Sequence, residues 1–335
     1  MSEARISVIY DSQDITQLVE SVTWSGSSEK PNRQLDVTLI NTLDGRKQAV
    51  TFAPGKAIEF SNNGTRLFRG VLFASNIDDR GRLNITAYDE NVYLVKSKET
   101  RKFTNVKASD IARRLCSDFG IPIGKISDTG YVIPRLNCRT KTLYDILLMA
   151  LTLTKKQTGK RFFLSSKDGK LNLMTASEQN TRWLIENGSN LVSASYSQSI
   201  EDTITQIKVI GGKEDSIVVT QKNAGLQRLY GVMQEVETMD EKATRSQVEQ
   251  RAQTLLKERG VIDDQATVDA LGIDEVISGS AVYVRESMTE IIGGYYVSSD
   301  THTFSANGTH TMALVLSATY DLPPIEIEKE ATSNE

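Results

Sequence analysis

Catalysis or metal binding needs nucleophiles, acids, bases or ligands whose spacing lets them converge, and this 335-residue chain offers few. Its two histidines, His302 and His310, flank Asn307-Gly308. A two-residue type I′ turn there would pair Ala306 with Thr309, Ser305 with His310 and His302 with Ala313. The two rings would then differ in parity and face opposite sides of the sheet, unable to share a metal or a proton. That spacing reads them as structural histidines. The acid pairs Asp78-Asp79 and Asp263-Asp264 lie in turn-like sequence and read as solvated loop carboxylates, not as a glycosidase pair converging across a cleft. Gly211-Gly-Lys213 lacks the leading glycine and the Ser/Thr of a phosphate loop. No G-x-S-x-G presents a strained nucleophile. The densest basic cluster, Lys155-Lys-Gln-Thr-Gly-Lys-Arg161, ends a helix, where cations complement the dipole. Cys116 and Cys138 stand far apart and outside any C-x-x-C, which reads as two buried thiols, with a single bridge left open. No catalytic, cofactor-binding or metal-ligating residue is therefore expected, and the chain reads as a non-enzyme.

Composition narrows the class further. Hydrophobic residues make up 39% and charged residues 24%, which excludes wholesale disorder. Thirty-nine Lys and Arg against 43 Asp and Glu give a net charge of −4. No excess of positive charge is available for phosphates, so specific nucleic-acid binding is disfavoured. The N-terminal sequence lacks the basic start and long apolar stretch of a signal peptide. The most apolar run, residues 143–153, is broken by Asp145 and Thr152 and is too short to span a bilayer. Synthesis in a reducing cytoplasm, without a membrane segment, is expected.

The elements that must position these residues follow from periodicity. Over residues 1–100, Arg5-Ile-Ser-Val-Ile-Tyr10, Gln34-Leu-Asp-Val-Thr-Leu-Ile40, Ala57-Ile-Glu-Phe60 and Arg82-Leu-Asn-Ile-Thr-Ala-Tyr88 read as strands. Turn signals at Asn62-Asn-Gly64 and Asp78-Asp-Arg-Gly81 separate them. Residues 101–190 read as an inserted α/β domain of two helices and a hairpin. The first helix carries Ile111, Leu115, Cys116 and Phe119 on one face and stops at Gly120; the second opens on a capping box of Thr142 and Asp145. The hairpin turns at Lys167-Asp-Gly-Lys170. Residues 191–322 return to strands, with one helix over about 241–259 capped by Thr238 and Glu241 and stopped at Gly260. Residues 323–335 are an acidic tail expected to be disordered. The fold class is α+β: two antiparallel β-barrel domains, an inserted helix-helix-hairpin domain, and a helix before the last barrel strands.

Self-similarity ties the two β regions together. Pro54-Gly-Lys-Ala-Ile-Glu-Phe60 aligns with Ser278-Gly-Ser-Ala-Val-Tyr-Val284, and Arg69-Gly-Val-Leu-Phe73 with Gly293-Gly-Tyr-Tyr-Val297, both 224 residues apart. Thr86-Ala-Tyr-Asp89 answers Ala318-Thr-Tyr-Asp321. These matches predict one motif built twice.

Ser109-Asp-Ile111, Phe119-Gly-Ile-Pro-Ile-Gly-Lys-Ile126, the helix from Leu143 to Ala150, and the Gly159, Phe162 and Asp168-Gly169 hairpin together resemble the XkdQ/YqbQ-type tail proteins of defective prophages. That family is similar to late control protein D and T-even baseplate hub proteins of contractile tails. The resemblance implies two tail-tube-like barrels per chain and a homotrimer whose six pseudo-equivalent units join a six-fold tail tube to a three-fold central spike. It implies as partners a tail tube or tube-initiator protein, the spike and, among the neighbours, a LysM-type tail protein, tape measure and baseplate wedge. It places the chain in the baseplate of a phage or a phage-tail-like bacteriocin, without cofactors. Two other readings stay open at this point: a LysM-like peptidoglycan-binding segment over Asp110 to Ile121, and a tail-associated wall hydrolase.

Overall fold

The computed structural model describes residues 5–175, 183–319, 323 and 325. The acidic tail expected over 323–335 falls almost wholly outside the described residues, as do Tyr320 and Asp321 of the third repeat match. The chain forms two compact units, one of Met1–Ser195 with Thr267–Glu335 and the other of Tyr196–Ala266.

In chain order the first unit opens with β1 (Ile6–Tyr10), β2 (Gln13–Asp14), β3 (Val19–Ser27), β4 (Gln34–Ile40), β5 (Ala57–Asn62), β6 (Thr65–Ile77) and β7 (Arg82–Tyr88). Helix α1 (Val92–Lys96), β8 (Lys98–Lys107), α2 (Ala108–Asp118), β9 (Ile123–Ile126), β10 (Val132–Thr142), α3 (Leu143–Thr158), β11 (Phe162–Lys167) and β12 (Lys170–Thr175) follow. Then come β13 (Trp183–Glu186) and β14 (Leu191–Ser199), along which the chain enters the second unit. That unit holds β15 (Gln206–Gly211), β16 (Ile217–Lys222), α4 (Ala224–Tyr230), β17 (Gln234–Thr238) and α5 (Arg245–Arg259). The chain returns along β18 (Asp263–Leu271) to β19 (Ala281–Arg285), β20 (Ile292–Ser305) and β21 (His310–Ser317).

One 13-stranded sheet joins the first strands of the chain to the last, in the order β14-β18-β21-β20-β3-β4-β7-β6-β5-β1-β2, with β19 on β20 and β13 on β19. The duplication is visible in this order. The run β3-β4-β7-β6-β5 recurs as β14-β18-β21-β20-β19. Local detail repeats as well. The Gly55 amide donates to the Leu72 carbonyl at 2.8 Å, and the Gly279 amide to that of Val297 at 2.8 Å. The return bonds, Leu72 to Lys56 and Val297 to Ser280, are both 2.9 Å. Both glycines need φ near +90° (88° and 89°), where a Cβ is disfavoured. A register shift lies between Leu72 and Ala74 against β7 and between Val297 and Ser299 against β21. The same bulge therefore re-aims the same strand in both copies.

This geometry corrects two of the sequence alignments. Gly70 stands opposite Ile58, whereas Gly294 stands opposite Tyr283, one position further along β19 than Val282, the counterpart of Ile58. The second β20 arm is one residue longer, so the two glycines are not equivalent and serve different ends. A Cβ on Gly70 would lie 2.2 Å from the Tyr88 carbonyl oxygen, while one on Gly294 would meet nothing within 4 Å. Likewise Tyr88 pairs with Val71, and the residue paired with the matching Tyr296 is Ser317.

Alternation along these strands builds a core of Val8, Trp24, Leu35, Phe60, Phe68, Leu72, Ile85 and Phe304. A second core, around Ile111, Leu115, Cys116, Leu136, Ile146, Leu147, Leu164 and Leu173, holds α2 and α3 against the β8–β10 pair and the β11-β12-β9 sheet. Helix α3 begins as its sequence specifies: Thr142 Oγ1 accepts from the Asp145 amide at 3.0 Å, and Asp145 Oδ2 accepts from the Thr142 amide at 3.2 Å. Gly159 ends it at φ 70°.

In the second unit, α5 lays Val248, Ala252 and Leu255 over Ile207, Val209 and Val219 of a sheet ordered β16-β15-β17. Its start differs from the expected residue 241. Thr238 is committed to β17, paired with Ile210, so the capping box is made by the next such spacing, Thr244 and Gln247. Gly260 is the stop, its amide donating to the Leu256 carbonyl at 2.8 Å.

Candidate assembly site

The residues scanned for chemistry are dispersed. Asp78 is a turn residue whose Oδ1 accepts from the amides of Arg80 and Arg82, both at 2.9 Å. Asp264 accepts from the Tyr196 hydroxyl at 3.2 Å. Gly212, at φ 81°, leads into a single 3-10 turn. Lys155 and Lys156 lie in the last turn of α3. Cys116 and Cys138 are free and buried, and burial raises their thiols to about 12 and about 11, far from the reactive range.

Polar chemistry concentrates instead where β3 meets β20, the joint between the two copies of the motif. Its register sets Gly26 opposite Asp300, Trp24 opposite His302 and Val22 opposite Phe304. Arg33, just before β4, reaches back to Asp300 with a fork: Nη1 donates to Oδ1 at 3.0 Å, and Nη2 donates to Oδ2. The pair is buried, with side chains 5% and 0% exposed. Three things fix the guanidinium. It lies 3.9 Å over the Trp24 ring, it fills the space that a Cβ on Gly26 would need, and its carboxylate partner also accepts from the Ser278 amide at 2.5 Å. The Arg33 amide donates to Asp89 Oδ2 at 2.8 Å, and the Asn91 amide to Oδ1 at 3.0 Å. Burial of Asp89 raises its carboxyl to about 7 against those bonds.

The histidines belong to the same joint, and their expected separation is wrong. The β20–β21 loop is not a two-residue turn. The Gly308 amide donates to the Ser305 carbonyl at 3.0 Å and the Ser305 amide to the Thr309 carbonyl at 3.0 Å, with Gly308 at φ 83°. That is a three-residue loop with a bulge, and the extra residue slides the register by one. Phe304 now pairs with His310 and His302 with Met312, so His302 and His310 share a face. Their rings meet, with His302 Nδ1 3.0 Å from His310 Nε2. His302 Nε2 lies 2.9 Å from the Val276 carbonyl, which can only accept, so the proton sits on Nε2 and Nδ1 accepts from His310 Nε2–H. His310 stacks on Phe304 at 3.8 Å between centroids, and its Nδ1 lies 3.6 Å from Asp274, which takes two bonds from the Asn62 amide group. Desolvation pulls both rings below the usual histidine range, His310 to about 3 with the neighbouring His302 as a further cause. These are neutral rings wedged in a strand joint. Among the described residues, no trio of His, Cys, Asp or Glu that could hold a metal gathers there.

Fold and site together describe a strand-rich chain in which, among the described residues, a buried polar network ties β3 and the start of β4 to β20. The fold is shared with the 43 kDa tail protein of prophage MuSo2 from Shewanella oneidensis (TM-score 0.67, 16% identity, 93% of this chain and 97% of that one). It is shared also with the tail protein from Neisseria meningitidis MC58 (TM-score 0.66, 12% identity, 94% and 96%). A third likeness is to the E. coli c3393 protein, a type VI secretion component with structural similarity to T4 tail proteins gp27 and gp5 (TM-score 0.55, 10% identity, 98% and 81%). The chain itself belongs to the YQBQ-like family, whose model matches residues 22–317. It is 35% identical over 311 residues to phage-like element PBSX protein XkdQ of Bacillus subtilis (strain 168), covering 92% of this chain and 94% of that protein, and 33% identical over the same length to YqbQ of that strain.

Proposed function

We propose that this chain is the non-enzymatic baseplate hub of a contractile tail or tail-like bacteriocin, a homotrimer that joins a six-fold tail tube to a three-fold spike. The observation that carries the reading is the recurrence of β3-β4-β7-β6-β5 as β14-β18-β21-β20-β19. A surface repeated six times on a tube can be met by three chains only if each chain offers it twice. On this reading each copy is a tube-like barrel segment, residues 101–190 are a scaffold outside the ring, and the partners are the tube or tube-initiator protein, the spike and neighbouring tail proteins. The Arg33–Asp300 pair fits as the fixed joint between copies, because a buried ion pair contributes geometry more than net stability.

Mass photometry of the purified protein, alone and with tube and spike proteins, tests this. A species at three times 37.1 kDa is expected. Monomers persisting with both partners present would overturn the reading. Retention on purified cell wall would favour a peptidoglycan-binding module instead, and wall clearing abolished by changing a single acid would favour a hydrolase.

A further inference from the structure

A cavity of about 470 Å³ opens beside the joint between the two copies. Hydroxyls of the strand pair line it, with Ser25 of β3 opposite Thr301 of β20 and Ser27 opposite Ser299. An aromatic wall adjoins them: Phe73 of β6 and Tyr88 of β7 meet edge to face, ring centroids 5.2 Å apart. Helix α1 adds Lys96 to the lining, and the link between β3 and β4 adds Lys30. Both lysines are exposed, and neither has an ion pair among the described residues. The one carboxylate of the lining, Asp300, is committed to Arg33 and to the Ser278 amide. Two cations therefore stand beside uncharged hydroxyls with no counter-charge of their own, and an occupant must supply it. The aromatic wall suits an apolar side chain, and the volume admits a few side chains but not a folded domain.

The repeat does not copy this cavity. Strands β3 and β4 are joined by residues 28–33, whereas their counterparts β14 and β18 are joined by residues 200–262, which hold the body of the second unit. Lys30 thus sits on a link that the second copy replaces, and the cavity is built once per chain. On the hub reading, a ring of three chains offers it three times, while the strand motif recurs six times. A site of that multiplicity matches the three-fold spike and not the six-fold tube.

We infer that this cavity receives an acidic loop of the spike, with carboxylates on Lys30 and Lys96 and an apolar side chain against Phe73 and Tyr88. The inference rests on the hub reading for the partner's symmetry, and on the cavity's own lining for the partner's chemistry. Because the lysines are exposed and flexible, their charge guides the loop in and sets specificity, while the aromatic wall holds it.

Biolayer interferometry against purified spike protein, with purified tube protein in parallel, tests this. The double variant Lys30→Glu with Lys96→Glu is expected to bind the spike at least about tenfold more weakly at 0.1 M salt, as charge reversal at a docking site does. Its affinity for the tube is expected to stay within about twofold, and its denaturation midpoint to stay at the wild-type value, since both side chains are exposed. Lys156→Glu with Lys160→Glu, at the end of α3, makes the same change in net charge elsewhere and is expected to bind the spike as wild type does. Restored binding in Lys30→Arg with Lys96→Arg supports a charge contact. Wild-type protein that binds both partners, with a Lys30/Lys96 variant that binds the spike equally well, overturns this inference alone. A variant that loses the tube and keeps the spike also overturns it, since the cavity then serves the other face. Equal losses in the α3 variant overturn it as well, because net charge and not the cavity would then be read. Wild-type protein that binds neither partner overturns the hub reading and this inference with it.

Discussion

Arg33 and Asp300 are held by each other, so the cost of removing one is the cost of stranding the other. Arg33→Met is expected to destabilise the chain by about 3–5 kcal/mol, read as a fall in chemical-denaturation midpoint. Gly26→Ala should act at the same joint, because its methyl would sit 2.4 Å from Arg33 Nη1 and push the fork off the carboxylate. The histidines give the joint a pH dependence of known sign. His310 is depressed from 6.5 to about 3, so the unfolded chain binds a proton that the folded chain refuses between these values. Its contribution is complete above pH 6.5 and is lost as pH falls toward 3. Asp89 runs the other way: raised to about 7, its contribution is lost as pH rises through that value. Comparison with a variant isolates the histidine. Between pH 7.5 and 5, the stability gap between wild type and His310→Gln is expected to narrow by about 1 kcal/mol, the full 1.4 kcal/mol per unit being reduced by solvent near the ring. Denaturation curves at both pH values check it, and a gap that widens refutes it.

At the scale of elements, the repeat makes a paired prediction. Gly55 and Gly279 have the same φ, the same hydrogen bond and the same place before a strand. Gly55→Ala and Gly279→Ala should each cost about 1–2 kcal/mol, equal within error by denaturant titration. Unequal losses would mean that the likeness stops at strand order. Thr142→Ala should cost about 1 kcal/mol through the lost capping box of α3. Element-scale features were also what the sequence made most legible. Alternation placed β4, β5, β7, β19 and β21, and the α3 cap was readable because Thr142 and Asp145 satisfy it within four residues. The α5 start was not readable, because Thr238 and Thr244 offer the same capping signal and only strand pairing to Ile210 takes Thr238 out of contention. The pairing of β8 with β10 had no local signal: it joins Lys107 to Val132 across a whole helix.

For the whole molecule, the organising fact is the repeat: two motifs per chain, joined where β3 meets β20. The sequence by itself determined that matching segments recur 224 residues apart and which family's packing signatures it carries. These are consequences of local pattern, since turn glycines, alternation and helix caps act over a few residues. Tertiary structure decided the rest. It set Arg33 against Asp300 across 267 residues of chain, moved His302 and His310 to one face through a single extra loop residue, and shifted the second copy of the repeat by one position on β20. The physical reason is that strand parity flips with every residue of register. Loop length and long-range pairing, which no short stretch encodes alone, therefore choose which side chains meet.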